Sequence, residues 1–352
     1  MNVALDVNGS ALVKYSPITL SPEWPKLQKL LFLLFCATVG SILNGFFVSS
    51  FFIEHTLKKV GNVFLACNGL ADLIVTTCVI PVGIVVLLSG EWDNIPVCLG
   101  LHFLTEISTY CYSIFFSLVA AETYYKLCKS PREYEMFVSM RVGLVSIIVF
   151  TVSVTSAACG VFLELDYDYC ERKHYGNYYY RLFTSLAFHG IPFVLIVGSL
   201  IICYVRVRRR ARNNPQYNRS QQYGRDSLTA RLNLTAYMVY SIAWSPYVII
   251  AVGFPDSEDP TFYHCIWIGV FRAVISGGLY GSANRDFRRA FAHLFNYCCC
   301  KSSLSSSFTS RHRRALEYKP ASGDVRVHIM HKAVNAGSPQ RAASSSRDTQ
   351  EL

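Results

Sequence analysis

Charge is scarce in this chain. Only 16% of its 352 residues are charged, where a soluble domain carries about a quarter, and that shortage excludes a pair of ordinary soluble domains. Walker, Rossmann and zinc-spacing motifs are missing too, so no cofactor, no metal and no enzymatic activity are expected. No internal repeat is visible, which argues against a transporter built from duplicated halves. The first residues lack a basic start followed directly by an apolar stretch, so no cleavable signal peptide is expected. The net charge of +10 would suit nucleic acid only if it formed one basic face. It is instead crowded into short segments between apolar runs and into the tail after Asn284, a pattern of membrane topology that leaves no nucleic-acid partner.

What is abundant is apolar sequence, at 52%. A bilayer core of about 30 Å needs roughly 20 apolar residues in a helix, and seven segments qualify: Leu30–Ile53, Asn62–Leu88, Val97–Ala121, Val142–Leu163, Leu182–Val205, Leu232–Phe254 and Thr261–Ala283. The expected fold is an all-α membrane protein, a bundle of seven transmembrane helices embedded in a lipid bilayer. Lys58 and Lys59, then Lys126, Lys129, Arg132 and Arg141, then Arg206, Arg208, Arg209, Arg210 and Arg212 fall in alternate connections. The positive-inside rule places that set in the cytoplasm and the N terminus outside. Only Arg172, Lys173 and Arg181 break the pattern. The first long run, Leu30–Ile53, reads as a signal-anchor helix.

The expected organisation is an extracellular segment over 1–29, the bundle over 30–283, an amphipathic helix over 284–297 and a disordered cytoplasmic tail over 298–352. Phe287, Phe291 and Phe295 recur at i, i+4 and i+8 beside Arg285, Arg288 and Arg289, which marks a short amphipathic helix lying in the interface. Cys298, Cys299 and Cys300 follow at the membrane edge, where palmitoylation is expected. Asn8-Gly9-Ser10 is a glycosylation sequon if that end is outside. Cys98, at the outer end of the third span, and Cys170, in the loop after the fourth, both face the oxidising side. They are candidates for a disulfide that pins this loop over the bundle, the alternative being two free thiols.

These positions, in order, resemble the rhodopsin-like (class A) G-protein-coupled receptors. The resemblance runs through Gly40-x-x-x-Asn44, Leu70-Ala71-Asp72-Leu73, Trp92 ahead of Cys98, Pro192, Trp244-Ser245-Pro246, and Tyr280 ahead of Asn284-Arg285-Asp286-Phe287. The segments after Glu122 and Tyr280 are locally most similar to melatonin-type receptors. The resemblance implies a plasma-membrane receptor that carries binding of an extracellular ligand to a cytoplasmic G protein, arrestin or both. It also assigns a switch to Glu122, Thr123, Tyr124, Pro246 and Tyr280, with Trp244 above the Pro246 kink as pivot.

The departures from the family pattern bear on signalling. Its D/E-R-Y element stands here as Glu122-Thr123-Tyr124, and in relatives the central Arg locks the resting state and then meets the G protein. The N-P-x-x-Y element stands as Ser276-Gly277-Gly278-Leu279-Tyr280, where loss of Pro removes a kink and two glycines suggest a flexible stretch. An atypical receptor, acting as scavenger, decoy or arrestin-biased binder, is therefore the second reading, and a small-solute transporter the third. The seventh span has no Lys for retinal attachment, and no second intramembrane acid joins Asp72 for a membrane protease.

Ionisable groups at membrane depth are functional candidates by default. At 1.5 Å per residue, Asp72 lies roughly 15 Å from the inner side and Arg272 roughly 16 Å from the outer side, so the two meet near the midplane. Asn44, Asp72 and Arg272 form the expected intramembrane polar core. In relatives the matching Asp helps to hold a sodium ion, and here the Arg272 guanidinium is expected to stand in its place. Glu106 lies roughly 13 Å deep and shares the outer half with Thr105, His189 and Trp244, the expected ligand pocket. Glu106 sits one residue past the position of the amine-binding Asp in amine receptors, about 100° around the helix.

Overall fold

A computed structural model of the chain describes residues 26–54, 57, 60–89, 95–139, 141–168, 170, 175–254 and 259–300. Every regular element among them is helical. In order they are α1 (Lys26–Ile53), α2 (Val60–Ile74), a π-helical turn (Val75–Val79), α3 (Ile80–Ser89), α4 (Ile95–Cys128), α5 (Pro131–Val138) and α6 (Val142–Phe162). There follow α7 (Tyr178–Ser185), a second π turn (Leu186–Gly190), α8 (Ile191–Asn213), α9 (Pro215–Asn218), α10 (Gln221–Gly253), α11 (Asp259–Ala283) and α12 (Arg285–Cys300). Seven stretches among the described residues are long and apolar enough to cross a membrane, and they coincide with the seven expected spans. In hydrocarbon an unpaired backbone N–H or C=O costs several kcal/mol, and a helix pairs them all internally.

Six of the seven spans pack in a closed circuit, α1 on α2, α2 on α4, α4 on α8, α8 on α10, α10 on α11 and α11 back on α1, and α6 packs on α4. The third span, α4, runs through the centre, with 72% of its apolar window buried against 17% for α6. That contrast explains the side chains of α6: Ile147 and Ile148 stay exposed at 64% and 52%, a face suited to lipid and costly in water.

Prolines set the irregular turns. Pro81 and Pro192 each follow a π turn by two residues and have no N–H to give. Each leaves carbonyls short of a helical donor, and a serine from a neighbouring span fills one. Ser41 Oγ donates to the Thr76 carbonyl at 3.2 Å, and Ser113 Oγ donates to the Phe188 carbonyl. In α10, Pro246 frees the Ile242 carbonyl, toward which Ser245 Oγ donates at 3.4 Å. α5 lies in a connection between spans and is set by a capping box: Ser130 N–H donates to Glu133 Oε2 at 2.9 Å, and Ser130 Oγ accepts from Glu133 N–H. The bond from Ser130 N–H holds the Glu133 carboxyl below its usual range.

The glycines of the seventh span do not form the flexible stretch expected of them. α11 is continuous α-helix through Gly277 and Gly278. A Cβ at Gly277 would lie 2.8 Å from Asn44 Oδ1 and 2.9 Å from the Leu43 carbonyl, so this glycine lets α1 and α11 approach closely.

The chain divides into two compact units, 1–294 and 295–352. In the first, α12 begins at an Asn284 cap, whose Oδ1 accepts from Asp286 N–H at 2.9 Å. Phe287 is 2% exposed and lies 5.0 Å from the Phe47 ring, while Phe291 meets Phe46 at 5.8 Å. Phe287 and Phe291 therefore pack the start of this helix on α1. Phe295 belongs to the second unit. The sequon at Asn8 and the side chains of Cys298, Cys299 and Cys300 lie outside the described residues.

Candidate functional site

Polar groups thread the apolar bundle in three layers. The first lies at the end carrying a disulfide between Cys98 and Cys170, whose Cα atoms are 6.0 Å apart. One and two turns further along α4 stand His102 and Glu106, 3% and 5% exposed, with His102 Nε2 at 3.6 Å from Glu106 Oε1. The disulfide draws the loop after α6 across α4, and Asp166 on that loop joins the pair. Partial burial, with the Glu106 carboxylate close by, pushes the Asp166 carboxyl up to about 6. His189 on the second π turn lies close enough to feel the charges of Glu106 and Arg272. Thr105 is buried, and its hydroxyl donates to the Leu101 carbonyl at 2.8 Å, so it faces its own helix.

The second layer lies at mid-depth. Arg272 Nη1 stands 2.7 Å from Asp72 Oδ1, the two side chains only 4% and 1% exposed. Ser276 Oγ donates to the other carboxylate oxygen, Oδ2. The rest of the guanidinium is enclosed by aromatic faces, with ring centroids at 4.9 Å for Tyr112, 4.8 Å for Tyr240 and 5.7 Å for Trp244. Cation–π attraction is strongest where water is excluded. Trp244 is 3% exposed and its indole lies against Gly269, where any Cβ would fall 2.2 Å from Cε3. Asn44 Nδ2 donates to the Ala273 carbonyl at 2.7 Å and ties α1 to α11 one residue past the arginine. It makes no direct bond to Asp72.

This layer does not fit the sodium ion that the family resemblance suggests. Both carboxylate oxygens of Asp72 already accept from Arg272 and Ser276, and a fixed cation stands where a mobile one would go. Like charges at that separation in a low dielectric repel strongly. Toward the next layer a small cavity of about 10 Å³ opens beside Asn68, Asp72, Ser276 and Tyr280. The Asn68 amide is buried and has no protein partner on either its N or its O, so the cavity has the polarity that an ordered water requires.

The third layer lies at the opposite, basic end. Thr123 Oγ1 donates to the Val119 carbonyl at 2.8 Å and accepts from Asn233 Nδ2 at 3.1 Å. The Tyr280 hydroxyl donates to Asn233 Oδ1, also at 3.1 Å. One buried amide thus joins α4, α10 and α11. Glu122 turns away and accepts from the Tyr134 hydroxyl of α5 at 2.9 Å. Tyr124 packs against Tyr125 and the Cys128–Cys203 contact instead.

The sequence reading did not single out His102, Asp166, Asn233, Tyr112 or Tyr240. His102 carried a signal, standing four residues after Cys98 and four before Glu106, and so on one face of the helix. Asn233 carried none, because its role depends on how α10 is rotated against two other helices.

Comparison with known proteins is consistent with this architecture. Residues 43–276 match the family described as 7 transmembrane receptor (rhodopsin family). The chain is 21% identical over 336 residues to melatonin receptor type 1A-A of Danio rerio, covering 90% of this chain and 94% of that one. It is 23% identical over 274 residues to the histamine H2 receptor of Cavia porcellus, covering 73% and 76%. It is 22% identical over 331 residues to neuropeptide Y receptor type 2 of Homo sapiens, covering 85% of each.

Proposed function

The chain belongs to the rhodopsin family of seven-transmembrane receptors, a family of G-protein-coupled receptors and not of enzymes, and on that premise we propose how it signals. It sits in the plasma membrane with its N terminus and the disulfide end outside and the basic end in the cytoplasm. An extracellular ligand enters at the disulfide end, where Glu106 and His189 supply polar contacts and Trp244 forms the floor. Thr105, with its hydroxyl committed to Leu101, contributes shape only. The relatives are named for melatonin, histamine and neuropeptide Y, so no single ligand chemistry carries over.

One observation carries the mechanism. The indole of Trp244 lies against the Arg272 guanidinium, which is bonded to Asp72, and Tyr280 on the same helix as Arg272 is bonded to Asn233. A ligand that moves Trp244 disturbs a single connected polar thread running toward the inner end. Its effect is limited to the difference in its affinity for the two states. The expected partners inside are a heterotrimeric G protein, arrestin, or both. A ligand screen in cells with separate G-protein and arrestin readouts tests this: a ligand that activates either, with activation lost in Trp244→Ala, supports the reading. A ligand that binds but changes neither readout contradicts it.

Thr123 favours a second reading, an atypical receptor that does not couple to G protein. The position offers a hydroxyl and no cation. Thr123→Arg separates the two. Robust G-protein activation by the parent refutes the atypical reading, whereas a silent parent that gains activity with Arg supports it.

A further inference from the structure

We propose that His102, Glu106 and Asp166 bind a divalent transition-metal ion of the zinc class, which fastens the loop after α6 to α4. The three residues offer one imidazole nitrogen and two carboxylate oxygens, all within 4.8 Å of one another. The His102–Glu106 separation is 3.6 Å, and two donors on a tetrahedral zinc stand about 3.4 Å apart. The widest separation among the three donors, at most 4.8 Å, has to close toward that value for all three to reach one ion.

The backbone holds these donors in place before any ion arrives. His102 and Glu106 are one turn apart on a single face of α4, below Cys98 on that same face. Cys170, four residues after Asp166, is bonded to Cys98. On either side of the acid the chain is tied down: Asp166 N–H donates to the Gly160 carbonyl at 3.1 Å, and Asn177 N–H donates to the Leu165 carbonyl at 2.8 Å. Gly176 has φ of +63° and passes so close that a Cβ there would stand 2.1 Å from the Asp166 carbonyl oxygen, so only glycine fits. Ligands fixed by their supporting structure are what a metal site needs.

Charge points the same way. The two carboxylates offer negative charge to a divalent cation. The neighbouring cation, Arg181 on α7, donates to the Ala251 carbonyl, and its charge also reaches Asp166. An imidazole in the set favours zinc over calcium or magnesium, which prefer oxygen shells of six or more. Three protein donors leave a fourth position for water or for a polar group of a bound ligand. Metal occupancy is a separate matter from signalling, although Glu106 serves in both readings.

Equilibrium dialysis of the full chain in lipid nanodiscs against zinc-65, using protein without a polyhistidine tag, tests the site directly. One saturable ion per chain is expected, with affinity about tenfold weaker or more in His102→Gln and in Asp166→Asn. Asp166→Asn keeps the oxygen that accepts from Tyr167 N–H, so the loop retains its anchor. His293→Gln on α12 should bind as the parent does. If either site variant fails to fold, cobalt(II) bound to the parent gives a second measure, with visible bands of a nitrogen and oxygen shell expected. No saturable zinc, zinc bound undiminished by both substitutions, or an intense thiolate-to-cobalt band would each overturn the proposal.

Discussion

Asp72 and Arg272 form a buried pair of opposite charges, and its consequences are asymmetric. Removing one partner leaves the other unpaired at mid-depth, which costs about 3–5 kcal/mol, whereas replacing both with apolar or neutral groups is close to neutral. Arg272→Met is therefore expected to lower thermal stability strongly in detergent, and Arg272→Met with Asp72→Asn to recover most of it. The same pair sets the response to salt. Ligand affinity and melting temperature should be alike in sodium and potassium, and a sodium-specific effect abolished by Asp72→Asn contradicts the pairing. The approach of these two residues was legible in the sequence, because depth follows from counting at a fixed rise per residue. The aromatic cage of Tyr112, Tyr240 and Trp244 was not, since counting gives depth and leaves the rotation of each helix undetermined.

Among the elements, irregular helix turns depend on borrowed donors. Ser113→Ala removes the donor to the Phe188 carbonyl, and the unpaired buried group should cost about 1–3 kcal/mol, measured by thermal unfolding. A fall too small to resolve would mean that another group pairs with that carbonyl. At the basic end the Asn233 amide holds three helices with two bonds. Asn233→Ala is expected to raise ligand-independent activation in a cell assay, provided the parent signals; unchanged basal activity with unchanged expression counts against a latch there. Pro81 and Pro192 were in plain view as helix disturbances, yet a hydropathy count cannot say that the disturbance becomes a π turn. Ser130-Pro131-Arg132-Glu133 carried the capping-box spacing of α5, a local signal that lies outside any apolar run. Thr123 was legible only as a missing cation; its bond to Asn233 spans 110 residues of sequence, a pairing no local pattern encodes.

For the molecule as a whole, the direction of the bundle decides what each layer can do. The acids of the disulfide end meet a ligand or a metal only if that end is outside, and the basic end meets a G protein only if it is inside. Lys and Arg in alternate connections argue for that orientation through the positive-inside rule, and a disulfide persists on the oxidising side. The most direct measurement is epitope tagging of both termini in intact and permeabilised cells. The N-terminal tag is expected to stain without permeabilisation and the C-terminal tag only after it. Both tags on one side, or the C-terminal tag alone exposed, would contradict a receptor that reads the outside and reports within.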